Sequence, residues 1–77
     1  MRYFFDTRDN GTLIEDDVGL ELDDLDAVKT QAALSLADLA REVLPGSIER
    51  VLSVEVRNAF QPVLTDVLTF EAIVLAN

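Results

Sequence analysis

The sequence predicts an α+β domain: a two-layer sandwich in which one long helix packs on a mainly antiparallel sheet of three or four strands, in the order β-β-α-β-β. Three observations carry this. Apolar residues recur at helical spacing from Leu25 to Val43, the segments on either side alternate at period two, and Asn10-Gly11 separates two β-favouring runs. Seventy-seven residues make a single domain, 1–77, near the lower limit of what folds without disulfides or metals. Hydrophobic residues form 49% of the chain, with three Gly and two Pro. That separates it from disordered acidic chains, which are poor in Leu, Ile, Val and Phe.

Tyr3-Phe4-Phe5 opens the first strand and Asp9-Asn10-Gly11 closes it. Asn-Gly tolerates the positive φ angles of a type I′ turn, so Thr12-Leu13-Ile14-Glu15 returns as the second strand of a hairpin. Asp16-Asp17-Val18-Gly19 is a polar turn, after which Leu20 and Leu22 either extend the strand or cap the core. The helix follows. Asp23 or Asp24 accepts its first free N–H groups, and Asp26 adds negative charge where the dipole favours it. Leu25, Val28, Ala32, Leu36, Leu39 and Val43 form one apolar stripe, and Leu44-Pro45-Gly46 ends the helix. A second stripe, Ala33, Leu34, Ala37, Ala40 and Leu44, widens the apolar face, as though the helix met more than one surface.

Two strands then close the sheet. Ile48, Leu52, Val54 and Val56 alternate with Glu49, Ser53, Glu55 and Arg57, and Arg50 interrupts the inner face at an expected edge position. Asn58-Ala59-Phe60-Gln61-Pro62 turns the chain into a last strand over residues 63–70. Its two faces are Thr65, Val67, Thr69 and Leu64, Asp66, Leu68, Phe70, and Asp66 leaves the inward side open. Residues 71–77 read as a helical turn, a strand extension or a frayed tail.

Composition excludes a good deal of chemistry. Without cysteine there is no disulfide and no thiolate metal site; without histidine there is no Ser-His-Asp or Cys-His nucleophile system and no His-ligated zinc. Fifteen acidic residues against six basic ones give a net charge of −9, which repels phosphate backbones and anionic lipid. Direct nucleic-acid and membrane binding are therefore not expected. The acidity is uneven: residues 1–26 carry net −7 and residues 27–77 net −2. Asp6, Arg8 and Asp9 interrupt any apolar run after Met1-Arg2, and no stretch approaches 18 uncharged apolar residues, so a cytoplasmic location is expected.

Several segments invite a test for function. Asp6, Asn10, Gly11 and Asp17 fit positions 1, 5, 6 and 12 of an EF-hand loop, but Arg8 falls on position 3 and a strand precedes Asp6. A hairpin is the better reading, with room for loose Ca²⁺ or Mg²⁺ binding at most. Asp16-Asp17 and Asp23-Asp24 are loop carboxylates with no reason to converge on one buried proton, as a glycosidase or aspartic protease pair must. They read as helix caps and solvated charge. Asp66 is the one carboxylate whose strand pattern allows burial, and an edge position or a capping hydrogen bond is the better reading of it. Tyr3-Phe4-Phe5 resembles a base-stacking platform in type, but only Arg2 and Arg8 accompany it; Phe5 and one neighbour read as core and Tyr3 as its half-buried cover.

Arg2-Tyr3-Phe4-Phe5-Asp6, Asp9-x-Gly11, Ile14-x-Asp16-x-x-Gly19-x-Glu21-Leu22, Asp24-Leu25, Val54-Glu55-Val56-Arg57, Val63-Leu64-Thr65 and Phe70-Glu71-Ala72 together resemble a widespread family of small alphaproteobacterial proteins, a domain of unknown function. The chain departs from that pattern in the Asn58-to-Gln61 turn and in the spacing from Thr65 to Phe70. The resemblance implies a single domain in a bacterial cytoplasm and assigns no activity, cofactor or catalytic residue.

These readings name no catalytic, cofactor-binding or metal-ligating residue. They favour a non-enzymatic protein–protein interaction module that self-associates as a homodimer, because the helix has a wide apolar face and a core this small gains from burying more surface. The alternative is an acidic, antitoxin-like or nucleic-acid-mimicking regulator of a basic nucleic-acid-binding partner, resting on the acidic N-terminal half.

Overall fold

The computed structural model describes residues 1–76; of the tail expected over residues 71–77, Asn77 lies outside the described residues. Six elements follow one another: β1 (Arg2–Asp9), β2 (Thr12–Ile14), β3 (Leu20–Glu21), α1 (Leu25–Val43), β4 (Glu49–Arg57) and β5 (Pro62–Glu71). The fold is α+β, with the helix over an open antiparallel sheet of order β2-β1-β4-β5. β3 is the addition to the expected order. Its two residues pair with Arg2 and Tyr3 on the outer edge of β1, so Leu20 continues the sheet rather than capping the core.

The turn at residues 10–11 forms as its chemistry requires, Asn10 at φ 48° and Gly11 at φ 90°. β1 then pairs along its other side with β4, joining the N-terminal strand to the C-terminal half of the chain. β5 pairs with β4 and leaves its far edge open, with a register shift at Val56/Arg57 beside the turn into Pro62.

Asp24 caps the helix, accepting from the Ala27 N–H at 2.8 Å, and Asp26 lies in the first turn. Leu44 still donates to the Ala40 carbonyl before Pro45 and Gly46 end the helix. The apolar stripe is buried in its centre, at Val28, Ala32 and Leu36, and frays toward its ends. Leu25, expected to begin it, is exposed. The second stripe splits: Ala40 and Leu44 pack against the core, whereas Ala33, Leu34 and Ala37 face solvent, Leu34 at 56% exposure. The helix therefore has one buried face.

Opposite residues in an antiparallel sheet share a face, so the register settles which side of each strand is inward. Phe5, Val56 and Leu64 form one row beneath the helix, and Leu52 and Leu68 belong to another. Leu64, Asp66, Leu68 and Phe70 are thus the inward side of β5, each half-buried because the strand is at the margin. The buried core is Phe5, Val28, Ala32, Leu36, Leu52, Val54 and Val56. Ile48, placed inward by its spacing, precedes β4 and is exposed.

Arg50 is not at an edge. It sits on the helix side of the central strand and forks onto both oxygens of Asp9, at 2.7 and 2.8 Å, while Nη1 donates to the Ser47 hydroxyl and the Val43 carbonyl. A guanidinium with five donors can be taken inward where a carboxylate and the last carbonyls of a helix meet it. It ties α1, the loop after it, β1 and β4 together.

With so few fully buried side chains, each matters. Leu52→Ala is expected to cost about 3 kcal/mol by urea unfolding, whereas Leu34→Ala on the exposed helix flank should stay within about 0.5 kcal/mol. Equal losses at the two positions would contradict this division of the helix.

Candidate functional site

The face of the sheet away from the helix is a polar ladder across the β1–β4 seam. Phe4 lies opposite Arg57, Asp6 opposite Glu55 and Arg8 opposite Ser53. Opposite charges then pair on the diagonal: Arg57 Nε donates to Asp6 at 2.8 Å and Arg8 Nε to Glu55 at 2.8 Å. The Arg57 guanidinium also lies 4.6 Å from the centre of the Phe4 ring, a cation–π contact. One face of the Phe4 ring is therefore already occupied by a cation. Phe5 is in the core and Tyr3 packs at its margin, as expected, but no neighbouring aromatic joins Phe5 there, because Phe4 alternates onto the opposite face of the sheet.

The loop between β2 and β3 is held on this seam by two carboxylates. The outer edge of β1 is paired by β2 at residues 7–9 and by β3 at residues 2–3, which leaves a gap at Phe5. Asp16 fills it. Its side chain accepts from the N–H groups of Phe5 (3.1 Å), Val18 (3.0 Å) and Gly19 (3.1 Å), while its own N–H donates to Asp6 (2.9 Å) and its carbonyl accepts from Arg57 (3.0 Å). Gly19 completes the closure. It is buried at φ 75°, and a Cβ there would lie 2.8 Å from the Tyr3 carbonyl oxygen.

The electrostatics follow from these partners. Burial pushes the Asp6 carboxyl upward, but the Arg57 guanidinium and the Asp16 N–H outweigh it and hold the group below the usual aspartate range. Burial likewise pushes Asp16 upward and is outweighed by three backbone N–H donors. Asp9 is lowered chiefly by the Arg50 fork, and Glu55 chiefly by Arg8. These carboxylates are held ionised as structural acceptors.

The segments singled out in the sequence are thereby placed. The EF-hand pattern does not assemble as a cage: Asp6 faces Arg57, Arg8 faces Glu55, and Asn10 uses its side-chain oxygen on the Val51 N–H at 2.8 Å. Among the described residues, no three carboxylates come together as a metal would require. Asp16 and Asp17 do not form an acid–base pair, since Asp16 is saturated by backbone donors and Asp17 is exposed. Asp24 is a helix cap and Asp23 is exposed. Asp66 is half-buried on the marginal strand, opposite Val54. A half-open concavity of about 380 Å³ lies between the ends of β4 and β5, lined by Asn10, Glu49, Arg50, Val51, Thr69, Phe70 and Glu71. Its carboxylates, Glu49 and Glu71, are directly opposite and exposed, and its one cation is committed to Asp9.

The open edge of β5 is not visible in the local sequence pattern. Beyond it, Ala72 still bonds to Ile48, and residues 73–76 continue with Ile73, Val74 and Leu75 exposed at 70%, 81% and 91%. The signal was present in the apolar residues after Glu71, but their exposure depends on β5 lying at the margin of the sheet. No helix among the described residues is long and apolar enough to cross a membrane.

One helix on an open antiparallel sheet, with its acidic residues built into the strand seam, defines a small α+β domain. The chain belongs to the family described as a domain of unknown function, DUF6894, whose family model matches residues 2–69. No curated protein and no solved structure gives a significant match.

Two predictions test the loop closure. Gly19→Ala should destabilise the fold by about 2 kcal/mol or more, since it meets both a left-handed φ and a backbone oxygen. An unchanged thermal midpoint would refute that account. The lowered Asp6 carboxyl binds its proton later in the folded chain than in the unfolded one, so its stabilisation is full above about pH 5 and lost as pH falls through and below about 4. The stability gap between the parent and Asp6→Asn should therefore be widest at neutral pH and shrink on acidification, by urea midpoints across that range. A gap that stays constant would sever it from the Asp6 charge.

Proposed function

We propose that this domain is a non-enzymatic protein–protein interaction module of the bacterial cytoplasm that acts by self-association. The observation that carries the reading is the open edge of β5, ten residues long and followed by the exposed Ile73, Val74 and Leu75. An unpaired strand of that length presents a row of backbone donors and acceptors, and soluble monomers commonly blunt such edges with lysine, proline or short strands. β5 carries no lysine or arginine, and its proline stands at its first position. The thin core adds a thermodynamic reason, since association buries apolar surface that the monomer leaves wet. The paired and capping roles of Asp6, Asp9, Asp16 and Asp24 support a structural rather than a catalytic use of the carboxylates.

Sedimentation over about a hundredfold range of protein concentration tests this reading. The mass should rise from one chain to two, and the transition should move to lower concentration as salt is added, because two copies at −9 each repel and salt screens that repulsion. A single chain at every concentration and salt would end it.

A second reading, an acidic regulator of a basic nucleic-acid-binding partner, is favoured by Glu15, Asp17, Asp23 and Asp26, which are exposed and without an ion pair among the described residues. Its salt dependence is opposite. A pull-down at low salt should retain such partners and release them at high salt; their absence at low salt would remove this reading.

A further inference from the structure

The geometry points to one mode of self-association: β5 of one copy pairs antiparallel with β5 of a second copy about a two-fold axis at Phe70. The inference rests on the self-associating reading and specifies its surface and register. Ala72 donates to the Ile48 carbonyl at 2.7 Å, so in the regular part of β5 the even-numbered residues turn their backbone groups toward β4. The odd-numbered ones, Thr65, Val67, Thr69 and Glu71, turn theirs outward, and Ile73 and Leu75 continue the row. An antiparallel two-fold must match outward residues with outward residues.

Charge and chain length choose among the registers that do so. A centre at Asp66 or at Glu71 sets two carboxylates directly opposite one another, which destabilises a sheet. A centre at Leu68, or at any residue before it, carries Leu75 past the start of the strand at Pro62. A centre at Thr69 sets Glu71 against Val67 and gives the two strands no aromatic pair. A centre at Phe70 keeps the carboxylates from standing directly opposite one another and sets the two Phe70 side chains together as an aromatic cross-strand pair, with Asp66 against Val74. Thr65 then meets Leu75 of the second copy, Val67 meets its Ile73 and Thr69 meets its Glu71; on the inward side Leu68 meets its Ala72 and Asp66 its Val74. The exposed apolar residues after β5 thereby gain partners, and no carboxylate stands opposite another. This self-match favours a second copy over an unrelated strand. The other margin of the sheet is a poorer template, since it is divided between three-residue β2 and two-residue β3. The two-fold axis runs perpendicular to the sheet, so the product is one continuous sheet with both helices on the same face.

Three variants test this against the parent by sedimentation, with circular dichroism to follow folding. Ile73→Pro removes an outward N–H beyond the last bond to β4, so the fold should persist while dimer affinity falls at least tenfold. The chain has no cysteine, so Phe70→Cys introduces a single thiol whose mate lies directly across the axis. It should form a disulfide-linked dimer on mild oxidation. Thr65→Cys, far from its own mate in this register, should not. A dimer unaffected by Ile73→Pro, or one in which Thr65→Cys cross-links and Phe70→Cys does not, would overturn the proposed edge or register while leaving self-association standing. A parent that is monomeric throughout would overturn both, and edge amides protected from exchange only by another protein would assign the edge to a foreign strand.

Discussion

Everything in this domain hangs on the seam between β1 and β4. The two strands come from opposite ends of the chain, and their ion pairs span as many as 51 residues of sequence. Closing so long a loop costs entropy before any contact repays it. The seam concentrates interactions where that cost falls: Phe5 and Val56 on the helix side, Asp6–Arg57 and Arg8–Glu55 on the other, and the Arg50–Asp9 fork where α1 ends. An exposed ion pair alone contributes little. Here the pairs are part-buried, several are forked, and they act on a strand register that already buries the core. Without that seam the helix has no platform, because its buried residues, Val28, Ala32 and Leu36, belong to the same cluster as Leu52, Val54 and Val56.

The loop over residues 15–19 solves a local problem that the seam creates. β1 is paired along one side by β4 and only intermittently along the other. Asp16 supplies the missing acceptor at Phe5, and Gly19 lets the loop lie against Tyr3 without a side chain in the way. Several carboxylates in the acidic half of the chain are spent on this and on the helix cap. Other carboxylates of that half, Glu15, Asp17, Asp23 and Asp26, remain exposed.

A single helix covers one face of a four-strand path and leaves two surfaces bare. The uncovered face resolves itself through paired charges and the Arg57–Phe4 contact. The uncovered edge does not. β5 ends the sheet with backbone groups facing outward and an apolar continuation beyond its last bond. The self-association proposed above draws on this unfinished edge.

Much of the architecture is legible in local chemistry. Asn10-Gly11 specifies its turn, the stripe from Val28 to Val43 its helix, Asp24 the cap, and the alternation of Leu52, Val54 and Val56 the buried side of β4, because each depends on residues a few positions apart. The order and facing of the strands were settled only by tertiary pairing. Arg50 reads as an edge residue until Asp9, 41 residues away, is seen to receive it. Leu20 reads equally as a strand extension or a core cap until it joins β1, and the inward side of β5 is ambiguous until Asp66 is matched with Val54. The open edge belongs to the same class, since no pattern within a strand states which of its neighbours exist. Local spacing determines which face of an element is apolar; long-range hydrogen bonding alone decides what that face and each edge are set against.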